Sequence, residues 1–268
     1  MKLFKYIFLC FYMTFSLNCF SQSASPYQTS VGVDAPITAL GAGLTYYGLT
    51  LMQSKSGLTS EEALALNVKD VNRFDRFSAG FYSERANTIS DYPLYTSFGT
   101  PLLLLLNENV RSNAGQVLVL YVETMAITGA LYTMTNGNVI RNRPLTYSQD
   151  VSLAEKGRAN AQNSFYAGHT AAAASASFFA AKVFHDFNPD SPARPYVWAT
   201  AAAIPATVGY FRLKAGKHFL SDNILGYTLG AAAGILVPQL HKKSAKLPFS
   251  VVPISGPGFS GALVSCRF

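Results

Sequence analysis

Six apolar stretches separated by polar connections constrain this chain most. They run over residues 35–52, 92–106, 116–134, 165–181, 196–211 and 224–240. Each is about as long as a long helix or a marginal membrane span. Each is rich in Ala, Leu and Gly and lacks the period-two alternation of β-branched residues that a strand would carry, so each predicts a helix. The expected fold is all-α: a bundle of about six long helices, compatible with embedding in a membrane, ending in a short extended C-terminal tail. Gly226, Gly230 and Gly234 recur every four residues along one face of the last stretch. Such a stripe lets a neighbouring helix approach closely.

Composition narrows the partners. The chain has 268 residues, 49% hydrophobic and only 13% charged, which excludes disorder, collagen and coiled coil. Its net charge of +7 suits anionic partners: phosphate compounds, membrane lipids or nucleic acid. Three cysteines, Cys10, Cys19 and Cys266, make no disulfide framework.

Residues 1–21 read as a secretory signal peptide. Lys2 and Lys5 form a basic start, residues 6–20 are almost wholly apolar, and Ser21 offers a small residue at the cleavage point. Residues 22–90 then form an exported N-terminal region, 91–240 the helical core and 241–268 a tail. Within the first region Thr59 and Glu62 have capping-box spacing. Val71, Phe74, Phe77 and Phe81 repeat at three or four residues and predict an amphipathic helix. The run from Asn188 to Pro192 is a helix break.

Four histidines carry the candidate chemistry. His185 and His241 sit beside charged residues in connections and are expected to be solvated. His169 and His218 lie at edges of apolar stretches with polar company. Asp222 follows His218 by four residues, so on a helix the two share a face and the carboxylate can fix the imidazole tautomer. Arg212, Lys214 and Lys217 make the approach cationic. Gly168 and His169 open a helix whose free amides and dipole favour an anion. Arg141 and Arg143, before Pro144, present planar guanidiniums suited to phosphate oxygens. These are parts for phosphoryl transfer. No Walker loop, Gly-x-Ser-x-Gly, EF-hand loop or Cys/His cluster at zinc spacing is found, so neither a metal nor another cofactor is expected.

The order Arg143-Pro144, Gly168-His169, then Arg212-x5-His218-x3-Asp222 resembles the three-part motif of the type 2 phosphatidic acid phosphatase family, kin to bacterial class A acid phosphatases and vanadium haloperoxidases. The family pattern is Lys-x6-Arg-Pro, Pro-Ser-Gly-His and Ser-Arg-x5-His-x3-Asp. The third part matches at full spacing. Asn136 stands in place of the lysine, Tyr166-Ala167 in place of Pro-Ser, and Phe211 in place of the serine. The resemblance implies a helical bundle and a phosphohistidine mechanism. His218 is then the nucleophile, Asp222 its orienting partner, and His169 the acid for the leaving oxygen. Arg143, Arg212 and the Gly168 amide hold the phosphate oxygens, with Asn136 at the lysine position.

The resulting expectation is a metal-independent phosphatase for phosphomonoesters or pyrophosphates, lipid-linked ones included. The alternative is a catalytically weak phosphate-binding or structural relative. The expected partners are a phosphate-containing substrate and a membrane, not nucleic acid; the sequence leaves the oligomeric state open. The protein is expected to be exported, membrane-associated or periplasmic, with the site facing the periplasm. Counting crossings, a leader plus three spanning stretches would return Arg143 to the cytoplasm. A periplasmic site therefore needs one stretch that does not cross, and the weakly apolar 35–52 is the candidate.

Overall fold

The structure, a computed structural model, describes residues 25–243, 249–256 and 259–266. The leader 1–21 lies outside them. Among the described residues nine α-helices follow in chain order: α1 (Val31–Gln53), α2 (Ser60–Ala65), α3 (Glu84–Leu103), α4 (Glu108–Arg111), α5 (Ala114–Asn138), α6 (Leu153–Lys156), α7 (Gly168–Phe187), α8 (Arg194–Lys214) and α9 (Leu220–Leu240). The six long ones, α1, α3, α5, α7, α8 and α9, coincide with the six apolar stretches. The chain is an all-α bundle, as its apolar pattern predicts. Its tail forms an antiparallel hairpin of β1 (Phe249–Gly256) and β2 (Phe259–Cys266), pairing Phe249 with Cys266.

The bundle closes through small residues. A Cβ added to Gly226 would lie 2.5 Å from the carbonyl oxygen of Ala167, and one at Gly230 or Gly234 would strike the carbonyls of Ala171 or Ser175. The glycine stripe thus lays α9 directly on the backbone of α7. α1 runs beside α5 in the same way: a Cβ on Gly48 would lie 2.5 Å from Thr133, and one on Gly137 2.7 Å from Leu51. Filling such a contact typically costs about 1–3 kcal/mol. Thr128 and Ser175 share a hydrogen bond of 2.8 Å between α5 and α7. An apolar core of Tyr27, Val110, Leu120, Phe179 and Val183 fills one end of the bundle.

The long helices alternate in direction. The starts of α3, α7 and α9 meet the ends of α1, α5 and α8 at one pole. Arg212 near the end of α8 bonds Asn87 in α3, and the Ala167 amide before α7 bonds the carbonyl of Asp222 in α9.

The capping box forms: Glu62 accepts the Thr59 amide at 2.8 Å, and Thr59 Oγ1 accepts the Glu62 amide at 3.2 Å. The stripe from Val71 to Phe81 is not one helix. Only the short 3-10 turns Val68–Asp70 and Arg76–Ser78 form there, and Phe74 and Phe77 are exposed. Asn72 and Asp75 bond each other and close the local turn, while the Arg76 side chain takes the carbonyls of Lys69 and Val71. His185 and His241 are not simply solvated either. His185 Nδ1 accepts from Arg194 and Trp198, and the His241 side chain is only 14% exposed.

Among the described residues α5 and α9 are long and apolar enough to cross a membrane. Large apolar side chains are also exposed on other helices, among them Leu40, Tyr46, Leu102, Leu106 and Tyr196. The stretch 35–52, proposed from sequence as the one that does not cross, is not set apart. α1 lies along α5 from Gly41, opposite Ala126, to Leu51, opposite Gly137.

Candidate active site

The pole where α7 begins gathers the sequence-predicted residues. Ala167 is the N-cap of α7 and no side chain caps the helix, so its first amides point outward unsatisfied by a cap. Gly168 sits beneath the ring of Tyr132, with which any Cβ there would collide. Tyr132, on α5, also makes an edge contact with Tyr166 at 5.7 Å between ring centres. Nothing in its sequence context marks it, because it falls inside an apolar stretch.

His218 is placed by a pinned loop. After α8, Gly216 takes φ +68°, a left-handed conformation in which a Cβ would strike the Phe81 carbonyl. Its own carbonyl accepts the Leu145 amide at 3.0 Å, and the Lys217 amide bonds the Arg212 carbonyl at 3.1 Å. His218 itself is 1% exposed. Its Nδ1 donates to the carbonyl oxygen of Ser164 at 2.7 Å. A carbonyl can only accept, so Nδ1 carries the proton and Nε2 keeps its lone pair.

The expected direct pairing of His218 with Asp222 is not what forms. α9 starts at Leu220, so His218 lies before the helix rather than on it. The Asp222 carboxylate accepts the Phe219 amide at 2.9 Å, the Ser164 hydroxyl at 2.7 Å and the guanidinium of Arg141. It therefore holds the Ser164 segment that in turn holds His218. Arg141 continues the chain of contacts to Asp75 at 2.7 Å, and Asp75 also accepts the Ser221 hydroxyl and amide.

Two buried guanidiniums face the histidines. Arg143 and Arg212 are 6% and 5% exposed. Arg143 donates Nε and Nη2 to the Asn163 carbonyl at 3.4 and 3.3 Å. Arg212 Nη1 bonds Asn87, and its buried Nε has no hydrogen-bond partner among the described residues. Burial, then Arg143, then Arg212 hold the His218 imidazole well below the usual histidine range. The two arginines act on His169 as well. Burial also lowers Arg143 itself, with Tyr132 and Asp222 opposing. A small cavity of about 100 Å³ adjoins Arg143 and is lined by Arg158, Lys217 and Glu155. An excess of buried positive charge with an unpaired donor is the electrostatics of an anion site.

Asn136 lies in the last turn of α5, fully buried. Its amide donates to the Asn163 carbonyl at 3.3 Å, the same oxygen Arg143 uses, and its Oδ1 is unpaired. A cation that no motif marks arrives here. Lys55, just past α1, donates to the carbonyls of Asn136 at 2.6 Å and Val139 at 2.7 Å. Burial and then Arg143 pull its pKa down to about 8. Of the other departures from the family pattern, Ala167 is buried under α9 beside Gly226, and Phe211 stacks edge-on with Tyr210 at 5.3 Å.

The structure thus brings His169, His218, Arg143, Arg212 and Gly168 together, ties Asp222 to them through Ser164, and sets Asn136 behind Arg143. Ser164, Tyr132, Asp75, Asn87 and Lys55 are the members that sequence reading did not assign to it, and Arg141, expected to face phosphate, pairs with Asp75 and Asp222 instead. Two histidines and two buried arginines around the uncapped start of α7 have the chemistry to hold a phosphate. Residues 117–246 match the PAP2 superfamily. The match spans the helical core from α5 to α9 and holds all seven of the sequence-predicted site residues. A solved crystal structure of a transmembrane PAP2 type phosphatidylglycerolphosphate phosphatase from Bacillus subtilis is also similar. It shares 18% identity at a TM-score of 0.46, over 77% of this chain and 98% of that one. No curated protein matches the chain.

Proposed function

We propose that the protein is a phosphatase that hydrolyses phosphomonoesters or pyrophosphates, lipid-linked ones among them, through a phosphohistidine on His218. The match of residues 117–246 to the PAP2 superfamily supports a phosphatase. The observation that carries the mechanism is the Nδ1 bond of His218 to Ser164. It leaves Nε2 as a neutral nucleophile beside two buried guanidiniums, one with an unpaired Nε.

In this mechanism the phosphoryl group lies against Arg143, Arg212 and the first amides of α7, which stabilise the charge on its equatorial oxygens. Nε2 of His218 attacks phosphorus as the ester P–O bond breaks, and His169 gives its proton to the leaving oxygen. The bound phosphate favours the charged form of His169 that this step needs. His169 then takes a proton from water, whose oxygen attacks phosphorus. The P–N bond breaks, phosphate leaves and neutral His218 returns. The cations are the chain's own, so the step as written needs no metal.

A second reading, a catalytically weak phosphate-binding relative, is favoured by one observation. Ala167 and Phe211 stand where the family pattern has hydroxyl donors, and Asn136 where it has a charge. Phosphate release from a panel of lipid and soluble phosphates separates the two readings. The phosphatase reading expects turnover, an acid-labile label trapped on histidine, and loss of both in His218→Ala. Phosphate binding without turnover would establish the second.

The exposed apolar side chains and the lengths of α5 and α9 support membrane association. We propose an exported protein whose site faces the periplasm.

A further inference from the structure

We propose that Asp34, Glu123 and His241 form a binding site for a divalent transition-metal ion, with zinc the best fit, remote from the phosphate site. Asp34 lies in the first turn of α1, Glu123 in α5, and His241 just past the end of α9. Their ligand atoms all lie within 4.8 Å of one another. Glu123 is thirteen residues before Asn136 on the same helix, about 20 Å away at 1.5 Å per residue. This proposal is independent of the phosphatase reading.

Asp34 and Glu123 are 3% and 2% exposed. Buried carboxylates need partners. Asp34 Oδ2 has one, the Ser30 amide at 2.7 Å, which leaves Oδ1 for His241. Glu123 Oε2 is buried with no hydrogen-bond partner among the described residues, and it points at the same imidazole. The ammonium next in sequence is committed elsewhere. Lys242 bonds Asp186 at 2.8 Å, and that carboxylate also takes Lys182 and Tyr27. One carboxylate of this pole is thus fully matched, while two others share a single imidazole.

The imidazole is oriented as a ligand. Nδ1 of His241 donates to the Val237 carbonyl at 2.8 Å. Nε2 of the neutral ring therefore holds a lone pair, turned toward two carboxylate oxygens. That arrangement is repulsive unless a cation, proton or metal, lies between them. A ring whose other N–H is fixed by a backbone carbonyl is the usual support of a metal-bound histidine.

Distances favour the metal. Nε2 lies 3.3 Å from Asp34 Oδ1 and 3.5 Å from Glu123 Oε2. Zinc bonds of about 2.0–2.2 Å in a tetrahedron put neighbouring ligands about 3.3–3.5 Å apart. Imidazole nitrogen and carboxylate oxygen are both zinc ligands, and three protein ligands leave a fourth position for water or another oxygen. No motif search finds it, since the three residues stand far apart in sequence and meet only when α1, α5 and α9 pack.

The test uses the untagged full chain, purified, stripped with a chelator and titrated with Zn²⁺ alone against a chromophoric chelator. The wild type should bind about one zinc per chain. Glu123→Gln and Asp34→Asn, both nearly isosteric, should bind at least roughly a hundredfold more weakly. Zinc should raise the melting temperature of the wild type and not of these variants, while His218→Ala keeps the bound ion. A wild type that takes up no zinc overturns the proposal and leaves a shared proton as the cation of the cluster. Undiminished binding in both variants overturns it too.

Discussion

The imidazole of His218 is held by the backbone of Ser164: its Nδ1 donates to that carbonyl oxygen at 2.7 Å. The Ser164 hydroxyl in turn donates to Asp222 at 2.7 Å, so the carboxylate reaches the histidine at one remove. Asp222→Asn should lower kcat by about a hundredfold with little change in KM, because misplacing a reacting group by about 1 Å costs that much. Ser164→Ala keeps the carbonyl and should lose only about tenfold. The ordering is read from kcat and KM on one soluble phosphomonoester. A larger loss in Ser164→Ala than in Asp222→Asn would mean that the hydroxyl, rather than the carboxylate, sets the geometry.

A second expectation concerns pH. Burial, Arg143 and Arg212 hold the His218 pKa well below its ordinary value. A lowered pKa keeps the imidazole neutral, and Nε2 nucleophilic, on the acid side of the usual histidine range. The acid limb of kcat/KM, which reports the free enzyme, should therefore fall well below about pH 6.5. In Arg212→Gln one opposing charge is gone, so the limb should move to higher pH. A wild-type limb at the ordinary histidine value would show that this imidazole is not the nucleophile.

Why some of this was legible in the sequence and some not has a physical reason. Helix positions follow from local apolar periodicity, and the Gly226, Gly230 and Gly234 stripe announces close packing, because both are properties of a short segment. The motif residues Arg143, His169 and Arg212 are likewise recognisable by spacing. The Val71 to Phe81 stripe misleads for the opposite reason: Asp75 is drawn out of a helix by Arg141 and Ser221, which lie far off in the chain. The spacing of His218 and Asp222 predicts a shared helix face, yet the hydrogen bonds of Asp222 depend on where α9 starts and on Ser164. Lys55 and Tyr132 reach the site only through the packing of α1 on α5 and of α5 on α7.

Topology supplies a third expectation. The long helices alternate, with Lys55, Arg143 and His218 at the pole where α1 ends. A leader followed by six crossings would put that pole in the cytoplasm. A periplasmic site instead requires that the bundle not thread the bilayer in that way. Ser152, the exposed N-cap of α6, lies on the connection before α7. Ser152→Cys, in a background lacking Cys266, should react with an impermeant thiol reagent in cells whose inner membrane is intact. Reaction only after lysis would assign the six-crossing topology and a cytoplasmic site.

The last expectation concerns Asn136, which stands where the family pattern has lysine. By charge alone, Asn136→Lys should help phosphate, since one preorganised donor is worth about 3 kcal/mol, roughly a hundredfold in rate. The structure opposes a simple gain. Lys55 already places an ammonium 2.6 Å from the Asn136 carbonyl, and Arg143 shares the Asn163 carbonyl with the Asn136 amide. A further buried ammonium there meets two cations and gains no new anion, a placement that typically costs about 2 kcal/mol or more. Asn136→Lys alone should therefore lower the melting temperature and raise kcat/KM little or not at all. Combined with Lys55→Met, which keeps the number of ammonium groups constant, it should recover stability, and the cycle should depart from additivity by at least about 1 kcal/mol. A several-fold gain in kcat/KM from Asn136→Lys at unchanged melting temperature would mean that the place is free and that Lys55 serves only to close the end of α5.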